Sequence, residues 1–128
     1  MSILLDTHFM LALLSPTTVS RHPQLQKIRS ARQDLYVSTA SLWETAIKVR
    51  LGKLQVPIPL DEIAEFLSLS KISLLPINEL HAIARAEPDP STKDPFDRLL
   101  LAQCKIEGLQ LATADRALAE HPLAWTDM

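Results

Sequence analysis

The stretch ILLDTHFMLALL, residues 3–14, joins a short apolar run to a helical pattern. Residues 3–5 are typical of a buried strand, which ends at Asp6. From Thr7 to Leu14 the spacing of the apolar side chains indicates a helix. A strand that leads directly into a helix is the repeating unit of α/β proteins, so we expect the same unit further along the chain.

Three more short apolar runs predict strands, and amphipathic segments between them predict helices. Such alternation indicates a parallel sheet that helices cover on both faces. The sequence therefore predicts one α/β domain over residues 1–128, with a short parallel central sheet of four to five strands flanked by helices. The further strands are predicted at 35–37, 72–75 and 109–112, with an edge strand at 123–125, and the further helices at 23–32, 38–51, 60–70, 79–86, 94–105 and 114–120.

Composition and charge restrict the class of protein. A chain of 128 residues with 47% hydrophobic and 22% charged residues is typical of a globular domain. The net charge of −2 excludes a global basic field, so nucleic acid would have to bind a local patch. Cys104 is the only cysteine, which excludes an intramolecular disulfide and a cysteine-based zinc site.

The apolar N-terminal segment is too short and too polar to suggest a membrane span. Asp6 and His8 interrupt it, and no basic region precedes it. Neither a transmembrane helix nor a signal peptide is expected from this pattern. We therefore expect a soluble cytoplasmic protein.

Four acidic residues are placed where they can converge. Asp6 follows the first predicted strand and Asp115 follows the fourth, and the carboxyl ends of parallel strands meet at one edge of a sheet. Asp97 and Glu44 lie near the starts of two predicted helices that can reach the same edge. Converging carboxylates repel unless a cation compensates them, and hard oxygen ligands suit Mg²⁺ or Mn²⁺. The predicted chemistry is metal-assisted hydrolysis of a phosphodiester.

Each acid also has a purely structural explanation. Asp6 and Asp115 would cap the helices that follow them. Glu44 fits a capping box with Ser41 and an ion pair with Lys48. On this interpretation none of the acids has a chemical role.

The stretch KDPFDR, residues 93–98, carries two acids at the start of an apolar helix. Asp94 is in the N-cap position before Pro95, and Asp97 would close a capping box. The alternative is that Asp94 is the cap and Asp97 is a metal ligand.

Four segments in order resemble the PIN domain and, more closely, the VapC-type ribonuclease toxins of type II toxin–antitoxin pairs. They are ILLDTH at 3–8, SLWETAIKVRLGKL at 41–54, DPFDRLLLAQ at 94–103 and LATADRAL at 111–118. The resemblance implies a Mg²⁺-dependent endoribonuclease that acts as a toxin, cleaves RNA and is neutralised by a small antitoxin. It also suggests a homodimer, for which Leu60, Phe66 and Leu67 are candidate surface residues. The short end of the chain, HPLAWTDM, departs from the family pattern and puts the last strand in doubt.

Carried over residue by residue, the resemblance assigns the catalytic and metal-binding acids, with the Thr113 hydroxyl in a supporting role. Asp94 does not match a ligand position. The cations near the acids are candidates for RNA contact, although such clusters are usually solvated faces. The assigned acids are Asp6, Glu44, Asp97 and Asp115, and the candidate cations are Lys48, Arg50, Lys53, Arg98 and Arg116.

Two further side chains have open roles. His8 either approaches the substrate or is a partly buried helix residue, and Trp43 belongs to the core or to an interface.

Two other functions compete with the nuclease. A phosphoacceptor receiver domain has a similar length and strand-end acids, but it requires two adjacent acids after the first strand, and Thr7 follows Asp6 here. A non-catalytic PIN-like binding module would keep the fold with an unused site.

Overall fold

A computed structural model describes residues 2–31 and 33–126 of the chain. A 3₁₀ turn at Leu60–Glu62 precedes the fifth helix. In chain order the elements are β1 (Ser2–Leu5), α1 (Thr7–Leu13), α2 (Pro16–Val19), α3 (Pro23–Ser30), β2 (Asp34–Ser38), α4 (Thr39–Arg50), α5 (Ile63–Leu69), β3 (Ile72–Leu75), α6 (Glu79–Ile83), α7 (Pro95–Glu107), β4 (Gln110–Ala112) and α8 (Arg116–Ala119).

The four strands form one parallel sheet in the order β3-β2-β1-β4. The first strand is central, with Leu4 opposite Tyr36 on one side and Leu111 on the other. Its side chains alternate between two apolar clusters, since Ile3 and Leu5 pack on one face and Leu4 on the other. The predicted α/β architecture with a parallel sheet between helices is confirmed.

The predicted edge strand is reduced to a single parallel bridge. Leu111 N donates to Leu123 O, and Trp125 N donates to Leu111 O, both at 2.8 Å. These bonds pair Leu111 with Ala124 only. Residues 123–125 therefore extend the sheet by one bridge and do not form a strand.

The structure contains one helix that the sequence did not predict, and each predicted helix begins or ends one to three residues from a predicted limit. Pro16 begins the unpredicted helix α2, because proline suits the first helical position as well as the residue after a helix. The helix predicted over 79–86 ends at Ile83, because Ala84 is extended. The helix predicted over 23–32 ends at Ser30, and Arg32 lies outside the described residues.

Helix α6 begins at a reciprocal cap. Asn78 Oδ1 accepts from His81 N at 3.0 Å, and His81 Nδ1 accepts from Asn78 N at 3.1 Å. The other ring nitrogen of His81 lies 2.7 Å from a carboxylate oxygen of Glu107 in α7. His81 is 1% exposed, so this cap fixes α6 against the long helix α7.

Among the described residues no helix is long and apolar enough to cross a bilayer.

We expect Asn78→Ala to lower the free energy of unfolding by about 0.5–2 kcal/mol, since it removes the side-chain acceptor of an N-cap. Asn78→Asp keeps an acceptor and is the matched control. Urea denaturation of both variants measures the effect. Equal losses for alanine and aspartate would show that the cap does not stabilise α6.

Candidate active site

A cleft of about 350 Å³ opens at the carboxyl edge of the sheet. The four predicted acids line it, as expected for parallel strands, and Asp94 joins them. Whether they bind a metal stays a prediction. The lining residues are Asp6, Thr7, His8, Leu11, Glu44, Lys48, Asp94, Asp97, Ala114 and Asp115.

The Asp6 carboxylate is held from two elements. Its Oδ1 accepts from Phe9 N at 2.8 Å, which caps α1, and its Oδ2 accepts from Ala114 N at 3.0 Å. The neighbouring Thr113 hydroxyl also favours the charged form of this carboxylate. Asp6 is 6% exposed, and burial raises its pKa although these hydrogen bonds oppose the shift. The predicted N-cap role of Asp6 is confirmed, and the capping carboxylate still lines the cleft.

Asp115 lines the cleft beside Ala114, and Thr113 precedes them in the loop after β4. Asp115 Oδ1 accepts from Ala117 N at 2.9 Å, which caps α8 as predicted. Thr113 Oγ1 accepts from Asp115 N at 3.0 Å, and the same hydroxyl favours the charged form of Asp6. Its supporting role in the site stays a prediction.

Glu44 is buried in the second turn of α4, at 7% exposure. Thr7 Oγ1 donates to Glu44 Oε1 at 2.7 Å and lies 2.9 Å from Ser41 Oγ. Lys48 Nζ lies 2.7 Å from Glu44 Oε2, so the predicted ion pair is confirmed. The predicted capping box of Ser41 and Glu44 is wrong, because α4 begins three residues earlier and Ser38 is its cap.

Asp97 occupies the third position of α7 but does not close a capping box. Asp94 Oδ1 accepts from Phe96 N at 2.9 Å, and Asp94 N donates to Thr92 Oγ1 at 3.1 Å. The half-buried Asp97 carboxylate has no hydrogen-bond partner among the described residues. Asp94 is therefore the cap of α7, and its structural role is confirmed.

Burial and neighbouring negative charge raise the pKa of Asp97 to about 6. The repelling carboxylates are Asp94, Asp115, Glu44 and Asp6, in decreasing order of effect. A carboxylate that resists ionisation in a cleft is characteristic of a site that is completed by a cation or substrate. Among the described residues, Asp97 has neither a hydrogen bond nor an ion pair to offset this repulsion, although the more distant Lys48 attracts it.

Only one of the five candidate cations, Lys48, lines the cleft. Arg98 turns away from it, since its Nε donates to Thr92 O at 3.2 Å and its Nη1 lies 3.8 Å from Asp89 Oδ1. Arg50, Lys53 and Arg116 are exposed outside the cleft lining, so RNA contact by them stays a prediction.

The sequence model of the PIN domain matches residues 3–122. The chain belongs to the PIN-domain family. A search of curated proteins gave no significant match.

Two solved structures are similar to this PIN domain over almost their entire length. A toxin–antitoxin complex from Klebsiella pneumoniae has 20% identity and a TM-score of 0.64, with 98% of this chain and 97% of that chain covered. VapBC2 from Rickettsia felis, bound to a DNA fragment from its promoter, has 13% identity and a TM-score of 0.61, with coverages of 97% and 96%. At these low sequence identities, the similarity shows that the fold is shared and nothing more.

The acids of this PIN domain fit a hard cation by donor type but do not form a closed cage. Among the described residues no three histidine, cysteine, aspartate or glutamate side chains are arranged to hold one metal ion. Oxygens of Asp6 and Glu44 already accept protein hydrogen bonds, whereas Asp97 and one oxygen of Asp115 do not. Mg²⁺ commonly binds through one or two carboxylates, with water and phosphate as the other ligands. The open arrangement suits that mode of binding.

Sequence reasoning missed Thr7 and Ser41, which adjoin Glu44 from α1 and from its own helix. A threonine directly after Asp6 was the available signal.

His8 is exposed at the cleft, so the interpretation as a partly buried residue is wrong. Trp43 is 61% exposed and packs edge-to-face on Phe96 with ring centroids 5.8 Å apart, so it is not a core residue.

In EDTA we expect Asp97→Asn to become more stable relative to the parent as the pH rises from 4.5 to 7.5. The folded-state pKa of Asp97 is raised from 3.8 to about 6, so the folded parent binds more protons than the unfolded chain in this range. The parent therefore loses stability as the pH rises through the raised pKa. Asp97→Asn does not lose this stability, because asparagine does not titrate. Thermal melts across this range measure the difference. The exposed Asp61→Asn is the control, and a constant gap for Asp97→Asn would contradict the crowding of charge.

Proposed function

We propose that this PIN domain is a metal-dependent endoribonuclease that acts as the toxin of a type II toxin–antitoxin pair. The observation that carries the proposal is the convergence of four family acids in one cleft, where the Asp97 carboxylate has no hydrogen bond or ion pair among the described residues. Neutralising that charge requires a cation, and a hard divalent ion is the cation that carboxylates prefer.

The protein's own residues would divide the work as follows. Asp97 and Asp115 have free oxygens to hold Mg²⁺ or Mn²⁺, while hydrogen bonds fix the direction of Asp6. When bound, the metal supplies Lewis-acid stabilisation of the phosphodiester and a water of lowered pKa. Lys48 lines the cleft with an exposed side chain, so its ammonium group would contact a phosphate oxygen. The hydrogen bond from Thr7 would hold the Glu44 carboxylate in place.

The partner we propose is a small antitoxin. The two similar structures are of a toxin–antitoxin complex and of VapBC2, which supports a toxin role for this fold. A toxin that cleaves cellular RNA acts in the cytoplasm, where we place this protein. The receiver-domain alternative loses its basis, because the chain is a PIN domain and Thr7, beside Asp6, bonds to Glu44.

We expect the purified protein to cleave single-stranded RNA with Mg²⁺ or Mn²⁺ and to stop in EDTA. Asp97→Asn should remain folded but lose activity by orders of magnitude, because the amide cannot supply the charge that holds the metal. Asp94→Ala should cost about 0.5–2 kcal/mol of stability and keep most of the cleavage. Gel assays of labelled RNA, with melts of each variant, measure both effects.

The non-catalytic binding module is distinguished by the same samples. Mg²⁺ should raise the melting temperature of the parent by binding the native state, and the rise should shrink in Asp97→Asn. Cleavage that persists in EDTA or in Asp97→Asn, after contaminating nucleases are excluded, would overturn the proposed mechanism. A metal-induced rise without any cleavage would favour the binding module.

We also propose a homodimer, but through a different surface from the one the sequence suggested. Leu67 is fully buried, and Leu60 and Phe66 pack against the core, because the apolar face of α5 covers the sheet. On α6, Leu80 is 52% exposed and Ile83 is 81% exposed.

We therefore expect Ile83→Glu to shift the protein from dimer to monomer in sedimentation equilibrium, since it places a charge in an apolar contact. Leu69→Glu, on the 78% exposed Leu69 of α5, is the matched control and should leave the mass unchanged. A parent that sediments as a monomer would refute the dimer, and a dimer that survives Ile83→Glu would refute this surface.

A further inference from the structure

A second pocket of about 310 Å³ adjoins the carboxylate cleft. His8 and Leu11 of α1 line both cavities, so the two share a wall. The remaining wall comes from the segment around α2 and from the loop after α4, including His22 and Gln55. The pocket is therefore directly beside the carboxylates.

Aromatic rings are held in fixed positions at its edge. The rings of His8 and His22 meet edge-to-face with centroids 5.2 Å apart. His22 also packs edge-to-face on Phe9, with centroids 5.7 Å apart, and Phe9 is 1% exposed. The core therefore anchors the imidazole of His22, which in turn supports the exposed ring of His8.

The other walls combine apolar surface with unused polar groups. Leu11, Leu54 and Pro57 provide apolar contact. The Gln55 side chain is exposed at the rim and has no hydrogen-bond partner among the described residues. An amide offers both donors and an acceptor, so it can bond to the polar edge of a planar heterocycle.

We propose that this pocket binds one unpaired base of the RNA, next to the phosphodiester at the carboxylates. Proteins that read single-stranded RNA stack its bases on aromatic or histidine side chains and bond to the exposed base edges. Here His8 and His22 provide the stacking surface and Gln55 contacts the base edge. The inference rests on the proposed ribonuclease function and assigns a base-binding subsite to it.

The size of the pocket favours a base over a peptide helix. Small-molecule sites have volumes of roughly 300–1,000 Å³, and this pocket is at the lower limit. One planar ring system is an occupant of that size. The shared wall with the cleft is a second reason, because the base attached to a bound phosphodiester is tethered beside it.

The test pairs protein variants with altered RNA. The substrate is a single-stranded oligonucleotide that the parent cuts at one mapped position, together with copies that carry one abasic site at each nucleotide around the cut. Base stacking is worth about 1–3 kcal/mol, so loss of the correct base should raise the KM of the parent roughly 5- to 150-fold with little change in kcat. His22→Ala should raise the KM on intact RNA by part of this factor. On the abasic copy His22→Ala should have the same KM as the parent, because the base that His22 contacts is missing.

Two variants control for folding and surface effects, and a third tests the contact to the base edge. His22→Phe keeps a ring and should keep most of the affinity, and Gln55→Ala, at an exposed residue, should raise KM without loss of stability. Gln24→Ala changes an exposed glutamine outside the pocket and should have no effect. The Mg²⁺-induced rise in melting temperature should be the same in all of them, since none touches the acids.

The outcomes separate this inference from the proposed function. Additive effects of His22→Ala and the abasic site would overturn the base-binding pocket while RNA cleavage by the parent stands. Variants that leave RNA kinetics unchanged but weaken inhibition by the proposed antitoxin would make it a protein-docking site and also overturn the inference. If the parent cleaves no RNA, the proposed function fails. The same comparison is then made on the Kd for labelled single-stranded RNA, where an unchanged Kd in His22→Ala and Gln55→Ala overturns the subsite as well.

Discussion

The Asp6 carboxylate connects the two ends of the chain at the edge of the sheet. The backbone N–H of Asp6 donates to Ala112 O at 2.9 Å. The Asp6 side chain accepts from Phe9 N and from Ala114 N, which is 108 residues away. Because β1 lies between β2 and β4, this one residue sets both the start of α1 and the position of the loop after β4. The arrangement of the other acids depends on that junction, since Asp115 follows Ala114 directly.

Most acids of the cleft have a structural role, and some of their carboxylate oxygens still accept no hydrogen bond from the described residues. Asp6, Asp94 and Asp115 each cap a helix, so the structural and functional interpretations of Asp6 and Asp115 do not exclude one another. Helix N-termini favour negative charge, and this lowers the cost of placing several carboxylates together. Asp97 differs because it caps nothing and has no hydrogen-bond partner among the described residues, so burial and the neighbouring carboxylates raise its pKa.

Glu44 and Lys48 show how the cleft limits its own negative charge. Their side chains are 2.7 Å apart on successive turns of α4, and Glu44 is almost fully buried. A buried carboxylate without a partner would be costly, so the pair stabilises the metal-free cleft. The ion pair with Glu44 also holds Lys48 at the cleft, whereas Arg98 donates to backbone carbonyls of the turn before α7. Proximity in sequence to an acid is therefore a poor guide to which cation serves the cleft.

The sequence by itself determined the α/β class, the parallel sheet and the edge at which the acids meet. Apolar periodicity is local, and the rule that parallel strands end at one edge then converts strand-end acids such as Asp6 and Asp115 into neighbours. Helix limits were less well predicted where single residues decide them, as at Ala84, whose extended backbone ends α6. The tertiary structure alone decided which side chains meet across long separations, including the bond of Thr7 to Glu44, 37 residues apart, and the packing of His22 beside His8. It also decided that Leu67 is buried while Trp43 is exposed, because orientation and burial follow from how helices pack on the sheet, which no local pattern contains.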